Sequence, residues 1–185
     1  MIATGFLRDQ DILQTANLRL EQLSDKHTEP LFASINNLET RKLTGTHATF
    51  TLEAVQKFLT GLPNRGDRAD WAMIRVSDGT FIGEVVLNDL DEDNQSMNFR
   101  IGLDPEHLGQ GYGTEATRAV LNYGFDMVKL HRISLSVYAF NPRAQRVYEK
   151  CGFVKEGLER DALFWDGQWV DSVLMSVLSS DARDL

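Results

Sequence analysis

The sequence predicts an α+β fold in which about four helices flank a mixed, mostly antiparallel sheet of about seven strands. Short, alternating apolar runs come in pairs, separated by the hairpin signals Ser77-Asp78-Gly79 and Asp166-Gly167, which predicts antiparallel neighbours. A helical pattern separates the strand predicted at 98–103 from the strand predicted at 132–139. A strand–helix–strand unit of this kind makes a right-handed crossover, so these two strands are expected to be parallel neighbours.

The first half of the chain is predicted from local signals. Leu18, Leu20 and Leu23 alternate with polar residues as in a strand, and Ser24 suits the N-cap of a helix. In chain order the predicted elements are a strand over 12–23, a helix from Ser24 to Ile35, an irregular segment over 38–50, a helix after Thr51 that stops at Pro63, and a hairpin of residues 71–76 and 81–87. The two helices are expected to cover one part of the sheet.

The second half of the chain has clearer signals for where its helices begin and end. Asn141 precedes Pro142, which favours a helix start there, and Gly152 suits the end of that helix. The predicted elements are a polar turn over 89–95, the strand over 98–103, a glycine-rich turn, a helix reaching Met127, the strand over 132–139, the helix after Asn141, and strands over 153–165 and 169–178. Because 185 residues suit one domain of ordinary size, we expect a single domain over residues 1–185.

The turn from Leu108 to Thr114 has glycine at every second position, at Gly109, Gly111 and Gly113. Glycine removes the side chains that would keep an anion away from the backbone. The first N–H groups of the following helix have no internal partner, and the helix dipole adds partial positive charge there. The turn is therefore predicted to bind a phosphate or diphosphate group.

The residues around this turn do not complete either of two nucleotide-binding motifs that it partly resembles. Gly111-x-Gly113-x-x-Ala116 formally fits the dinucleotide fingerprint, but the next strand runs into Phe140-Asn141 without the acidic residue that would hold a ribose. A nucleotide-triphosphate P-loop requires a lysine that this turn does not have. For the turn on its own, a glycine-rich tight corner without a ligand stays an open alternative.

A second motif follows the strand after the glycine turn, with matched residues at Asn141, Ala144, Tyr148, Gly152 and Phe153. Together the two motifs resemble the GNAT superfamily of acetyl-CoA-dependent N-acetyltransferases. Members of that family carry a Q/R-x-x-G-x-G/A loop, a strand, and then an N-x-x-A-x-x-x-Y-x-x-x-G-F segment. The resemblance covers almost the whole chain, and it implies an α/β/α sandwich whose parallel strand pair splays apart.

The resemblance implies acetyl-CoA as co-substrate and no metal. Its diphosphate is expected on the amides of the turn, and its pantetheine arm is expected along the strand in the gap between the splayed strands. Leu108 stands where the family usually has Gln or Arg, which removes a side chain but no backbone donor. The residues expected to bind acetyl-CoA are Ile101, Leu103, Leu108, Gly109, Gln110, Gly111, Tyr112, Gly113, Thr114, Asn141 and Arg146. For Arg146, a solvated helix face is an equal alternative.

Two residues are predicted to be catalytic. Tyr148 stands where the family has the general acid that protonates the departing thiolate. Its alternative role is that of one more aromatic side chain on the buried stripe of its helix. Glu84, in the otherwise apolar strand 82–87, is the candidate base for the amine proton, and the solvent face of an alternating strand is its alternative. Cys151 is not expected to be a nucleophile, so the amine is expected to attack directly in a ternary complex.

The sequence identifies the acceptor less clearly than the donor. The loop Gly111-Tyr112-Gly113-Thr114-Glu115-Ala116 and the ending Asp166-Gly167-Gln168-Trp169-x-Asp171 look like the branch that acetylates the N-termini of ribosomal proteins. A protein N-terminal α-amine is therefore the expected acceptor. The alternatives are a small amine (a polyamine, an aminoglycoside or an amino acid) and a non-catalytic acyl-CoA-binding protein. The sequence leaves open whether the chain forms a homodimer.

Composition excludes several classes of protein. The net charge of −8 argues against a nucleic-acid binder and is compatible with a cationic acceptor. No apolar run is long enough to span a bilayer, so no membrane partner is expected. The first residues do not have the pattern of a signal peptide, and the single cysteine excludes an internal disulfide, so the cytoplasm is the expected location. The four histidines show no metal-ligand spacing.

Overall fold

The computed structural model describes residues 2–181. Its strands are β1 (Leu13–Gln14), β2 (Leu18–Gln22), β3 (Ala69–Arg75), β4 (Phe81–Asp91), β5 (Ser96–Leu103), β6 (Arg132–Tyr138), β7 (Val154–Trp165) and β8 (Gln168–Leu178). They form one sheet with the order β1-β2-β3-β4-β5-β6-β8-β7. Neighbouring strands pair antiparallel except β5 and β6, which are parallel. The predicted α+β class with a mixed, mostly antiparallel sheet is confirmed.

The helices flank this sheet. They are α1 (Gly5–Arg8), α2 (Thr28–Asn36), α3 (Leu38–Thr44), α4 (Leu52–Gly61), α5 (Tyr112–Asn122) and α6 (Pro142–Lys150). Helix α5 continues into a π-helical turn over Tyr123–Met127, so the apolar stripe that was predicted to reach Met127 is helical over its whole length. Helix α6 begins as predicted, because Asn141 Oδ1 accepts a hydrogen bond from the Ala144 N–H (3.1 Å).

The sheet has eight strands rather than about seven, because residues 12–23 form a tight hairpin of β1 and β2 instead of one strand. The turn is held within the hairpin by the Leu18 N–H, which donates to Thr15 Oγ1 (3.1 Å). It is also held by α5, since Glu115 Oε1 accepts from the Asn17 N–H (2.7 Å). That second contact joins residues far apart in the chain, so the local pattern of residues 12–23 does not contain it.

The segment 38–50, predicted to be irregular, contains helix α3. Asn37 caps this helix, because its side-chain oxygen accepts from the N–H groups of Glu39 (2.9 Å) and Thr40 (3.3 Å). Gly45, with φ of 66°, ends it in the left-handed conformation that glycine favours. The prediction used Asn37 as the end of the preceding helix and missed that the same residue starts a second one.

Both faces of the sheet are covered. Along β3, Trp71 and Met73 join the larger apolar cluster, which packs with α5 and α6. Ala72 and Ile74 point to the opposite face and join a smaller cluster with α2 and α4. This alternation within a fully buried strand places two helical layers around the sheet, which is the architecture that the resemblance implied.

The parallel pair opens along its length. Strands β5 and β6 pair only over Ser96–Asn98 and Arg132–Ser134, and no further pairing between them is recorded within the described residues. The remainder of β5 stays paired with β4, and the remainder of β6 stays paired with β8. The two strands therefore diverge from Asn98 onward and leave a gap in the middle of the sheet.

Candidate active site

The gap between β5 and β6 is a cleft of about 420 Å³. Its walls are residues 98–103 of β5, residues 136–138 of β6, the turn after β5, and one side of α6. Backbone N–H and C=O groups on an unpaired strand edge have no partner strand, so they can form hydrogen bonds with a ligand. The cleft therefore offers an extended ligand a polar strand edge along its whole length.

The glycine turn closes one end of this cleft. Gly109 and Gly111 have φ of 77° and 90°, and a Cβ atom built on either residue would meet nothing within 4 Å. Within residues 2–181, no protein acceptor is recorded for the N–H groups of residues 109–114, whereas the Glu115 N–H donates to Gly111 O (3.1 Å). The amides at the start of α5 are therefore both unpaired and approachable, as an anion site requires.

Basic side chains also line the cleft. Arg143, Arg146 and Lys150, all on α6, line it together with His107. Among the described residues, none of these four side chains has an acidic partner within ion-pair distance. In a chain with a net charge of −8, the three side chains from α6 are a local concentration of unpaired positive charge.

Tyr148 lies deeper in the cleft, on α6. Its side chain is 8% exposed, and its ring packs edge-on against Phe99 and Phe153. No hydrogen bond of its hydroxyl is recorded within residues 2–181, although the residue lines the cleft. Burial raises the pKa of this phenol well above its usual range, so it stays protonated at neutral pH and can act only as a proton donor there.

A second cavity, also of about 420 Å³, lies on the face of the sheet beneath α2, α3 and α4. Glu84 lines it from β4, and no hydrogen bond or ion pair of its carboxylate is recorded within the described chain. Burial is the main influence on this group and raises its pKa, while Arg100 acts in the opposite direction. A partly buried carboxylate without a partner is free to accept a proton from a ligand.

The two cavities meet at one place in the sheet. Thr40, Thr44, Arg100, Ile101 and Gly102 line both of them. Glu84 is paired directly opposite Gly102 in the β4–β5 ladder, so the carboxylate belongs to the strand that borders this junction. A group that enters through the cleft and a group that occupies the second cavity can therefore approach each other beside Ile101 and Gly102.

The structure brings most of the predicted donor-binding residues together. The cleft is lined by Ile101, Leu103, Leu108, Gly109, Gly111, Gly113, Thr114, Asn141, Arg146 and Tyr148. Gln110 and Tyr112 do not line it: the Gln110 amide donates to Glu106 O (3.0 Å), and the Tyr112 side chain packs against the core. The expected contribution of these two residues is limited to their backbone N–H groups.

Sequence reasoning missed several residues at the junction. Thr40 and Thr44 lie on α3, in the segment that was predicted to be irregular, and the buried Thr40 hydroxyl has no partner within residues 2–181. Gly83 was also missed: a Cβ atom on it would lie 2.1 Å from Gly102 O, so only glycine lets β4 approach β5 this closely. The N-cap Asn37 and the terminal Gly45 were the signals that could have identified α3.

In the 2–181 range, no group of three or more His, Cys, Asp or Glu side chains is arranged to hold a metal ion. No helix in that range is long and apolar enough to cross a membrane.

Unpaired amides at a helix start, beside a strand edge that opens into a cleft, form the arrangement of an acyl-CoA-dependent transferase. Residues 17–154 match the family described as the acetyltransferase (GNAT) domain. The chain belongs to this family, and it is an acetyl-CoA-dependent N-acetyltransferase by class.

Relatives of known name differ in their acceptor. A spermidine N(1)-acetyltransferase from Vibrio cholerae serotype O1 is 37% identical over 99 residues, which is 54% of this chain and 57% of that enzyme. A putative ribosomal N-acetyltransferase, YdaF, from Bacillus subtilis is 31% identical over 104 residues, which is 56% of this chain and 57% of the relative. The chain thus matches little more than half the length of either relative.

The fold itself is matched over more of the chain. The crystal structure of spermidine N-acetyltransferase from Vibrio cholerae, in complex with CoA and spermine, has a TM-score of 0.84 and 25% sequence identity. The match covers 90% of this chain and 98% of that chain.

Proposed function

We propose that this chain transfers the acetyl group of acetyl-CoA to the primary amine of a small molecule. The observation that carries the proposal is the junction at Ile101 and Gly102, where a cleft with unpaired amides meets a second cavity that holds an unpaired carboxylate. One cavity suits the donor and the other suits the acceptor. The two reactants are then held side by side, and proximity alone supplies a large share of the acceleration.

The donor is proposed to lie in the cleft with its diphosphate on the N–H groups of residues 109–114. Arg143, Arg146 and Lys150 add positive charge near the phosphates. The pantetheine arm then runs along the unpaired edge of β5 and passes Asn141, whose Oδ1 is engaged as the cap of α6. This arrangement directs the thioester toward Tyr148 and the junction.

The transfer is proposed to proceed by direct attack. Glu84 takes a proton from the ammonium group, either directly or through water, and the neutral nitrogen attacks the thioester carbon. A backbone N–H on the open edge of β5 stabilises the oxyanion that forms. The C–S bond then breaks, and Tyr148 donates its phenolic proton to the CoA sulfur. The nitrogen loses its second proton to solvent, solvent returns a proton to Tyr148, and Glu84 releases the proton that it took. The products are the N-acetylated amine and CoA.

A small amine is preferred over a protein N-terminus as the acceptor. The relative named for spermidine is more similar to this chain than the relative named for ribosomal acetylation, at 37% against 31% identity over comparable lengths. That similarity supports the small-amine alternative better than the protein N-terminus that the sequence first favoured. Because the chain is also similar to the relative named for ribosomal acetylation, a protein N-terminal α-amine is the second candidate acceptor.

Release of CoA on mixing with an acceptor tests the proposal. The purified protein is incubated with acetyl-CoA and a panel of small amines and N-terminal peptides, and free thiol is measured over time. We expect thiol release above the no-acceptor rate with at least one small amine. Release with peptides alone would favour the second candidate, and acetyl-CoA binding without acceptor-dependent release would indicate a non-catalytic sensor.

Replacing Glu84 by glutamine is expected to lower kcat/KM for the amine by about 10- to 100-fold, because the proton acceptor is lost. In the original protein kcat/KM should fall on the acid side as Glu84 is protonated, with a midpoint above the ordinary value of 4.5. In Glu84→Gln that acid limb should disappear. Steady-state rates across the pH range measure both effects.

The same variant should unfold at a higher temperature. Burial raises the folded-state pKa of Glu84, so the stability that this group contributes is greatest below its unfolded pKa and is lost as pH rises through the folded value. At neutral pH the charged group therefore costs stability, and glutamine removes that cost. A rise in Tm of about 2–4 °C is expected for a gain of ~1 kcal/mol in a chain of this size. If the Tm and the kinetics of Glu84→Gln both equalled those of the parent, Glu84 would be a residue on the solvent face of its strand and not the catalytic base.

A further inference from the structure

The walls of the second cavity are mainly apolar. Helices α2 and α4, the segment between α3 and α4, and β4 supply Leu31, Ile35, Phe50, Val55, Phe58 and Val86. Phe50 and Phe58 are each 39% exposed, so they present ring surface at the cavity rather than within the core. An apolar wall of this kind stabilises a ligand in proportion to the apolar area that the ligand buries.

The charges in this cavity are nearly balanced before any ligand enters. Arg68 is bound to Asp70 through two hydrogen bonds (2.7 and 2.6 Å), and Asp70 is 2% exposed, so this carboxylate is fully engaged. The Arg68 guanidinium also lies 5.2 Å from the ring centre of Phe58. Arg100 lines the cavity with no acidic partner recorded within residues 2–181. Glu84 is the one acidic residue among the described lining residues.

This balance suits one cation and disfavours several. A single ammonium group can pair with Glu84 and then lose its proton to it. Each further ammonium group of a polyamine would enter a cavity whose one remaining charged side chain without an acidic partner among the described lining residues, Arg100, is cationic. Such a group would be repelled by Arg100 and would find no second acidic side chain among the described lining residues.

We infer that the acceptor is a primary amine with one cationic centre on an apolar body, in the class of arylalkylamines and branched alkylamines. The inference rests on the proposed function and names the substrate class of the same site. The apolar body lies against Phe50, Phe58 and the α2–α4 wall, and the amine reaches Glu84 at the junction. The same charges disfavour a polycationic acceptor.

The test compares 2-phenylethylamine and spermidine as acceptors, with acetyl-CoA saturating and free thiol as the readout. We expect kcat/KM for 2-phenylethylamine to exceed that for spermidine by at least about 10-fold, the discrimination that an apolar pocket gives. A spermidine value equal to or above the 2-phenylethylamine value would overturn the inference and leave the acetyltransferase proposal standing. No thiol release with any amine would overturn both.

A pair of variants separates the apolar contact from a general effect on the fold. Phe58→Asp should lower kcat/KM for 2-phenylethylamine at least about 10-fold, because it places a charge in the apolar wall. The matched control Phe58→Leu keeps an apolar side chain and should lose about threefold or less. Phe58 lines only the second cavity and is partly exposed, so the acetyl-CoA dissociation constant of both variants should equal that of the parent. Equal losses in the two variants would overturn the assignment of Phe58 to the acceptor.

Discussion

A Gly111→Glu variant is expected to bind acetyl-CoA at least about 100-fold more weakly than the parent, because a carboxylate would stand where the diphosphate is proposed to lie. Repulsion of about 4 kcal/mol between like charges about 4 Å apart near a surface is more than this loss requires. The space that the new side chain would enter is open, since a Cβ atom at Gly111 meets no protein atom within 4 Å. Isothermal titration with acetyl-CoA measures the effect.

The control must share the backbone strain of this substitution, because Gly111 has a φ of 90°. Gly167 has a φ of 78°, also with nothing within 4 Å of its Cβ position, and it lines neither cavity. Gly167→Glu should therefore lose similar stability and keep the parent affinity for acetyl-CoA. If Gly111→Glu also keeps that affinity, the glycine turn does not bind the diphosphate.

Replacing Tyr148 by phenylalanine is expected to lower kcat by about 10²- to 10³-fold and to leave the acetyl-CoA dissociation constant unchanged. The ring contacts with Phe99 and Phe153 remain in the variant, and only the hydroxyl is lost. Since no protein partner of that hydroxyl is recorded within residues 2–181, Tm should change little. Steady-state kinetics at saturating amine and acetyl-CoA give kcat, isothermal titration gives the dissociation constant, and thermal unfolding gives Tm.

Tyr123 is the matched control for Tyr148, because its hydroxyl has a protein partner. It is also buried, but its hydroxyl donates to Phe6 O (2.7 Å), and it lines neither cavity. Tyr123→Phe should lose about 1 kcal/mol of unfolding free energy through the unpaired Phe6 carbonyl and keep the parent kcat. If Tyr148→Phe instead lost stability and kept the parent kcat, as expected for Tyr123→Phe, Tyr148 would be a structural residue.

The glycine turn and α6 were predictable because their signals are local. Asn141, Pro142 and Gly152 each act within one turn of helix, and the alternating glycines set the loop by their own backbone freedom. The splitting of residues 12–23 was not predictable in this way. One of the contacts that hold its turn comes from Glu115, which accepts from the Asn17 N–H and lies on another element.

The acceptor side of the site was predicted less well for the same reason. Glu84 was selected because a charged residue interrupts an apolar strand, which is visible in the sequence. Its lack of a partner and its position opposite Gly102 come from the register of β4 and β5. The pairing of Arg68 with Asp70 is local, since the two residues are two positions apart, but its place in the wall of the second cavity comes from the assembled sheet.

Only the pairs between Ser96–Asn98 and Arg132–Ser134 connect the five-strand block β1–β5 to the three-strand block β6, β8 and β7 within the sheet of residues 2–181. A donor arm along the open edges of β5 and β6 would contact both blocks and so add contacts between them. At a donor concentration 100 times its dissociation constant, the folded state would gain about 2.7 kcal/mol. Resistance to unfolding, and with it survival against proteases, would then rise and fall with the supply of acetyl-CoA.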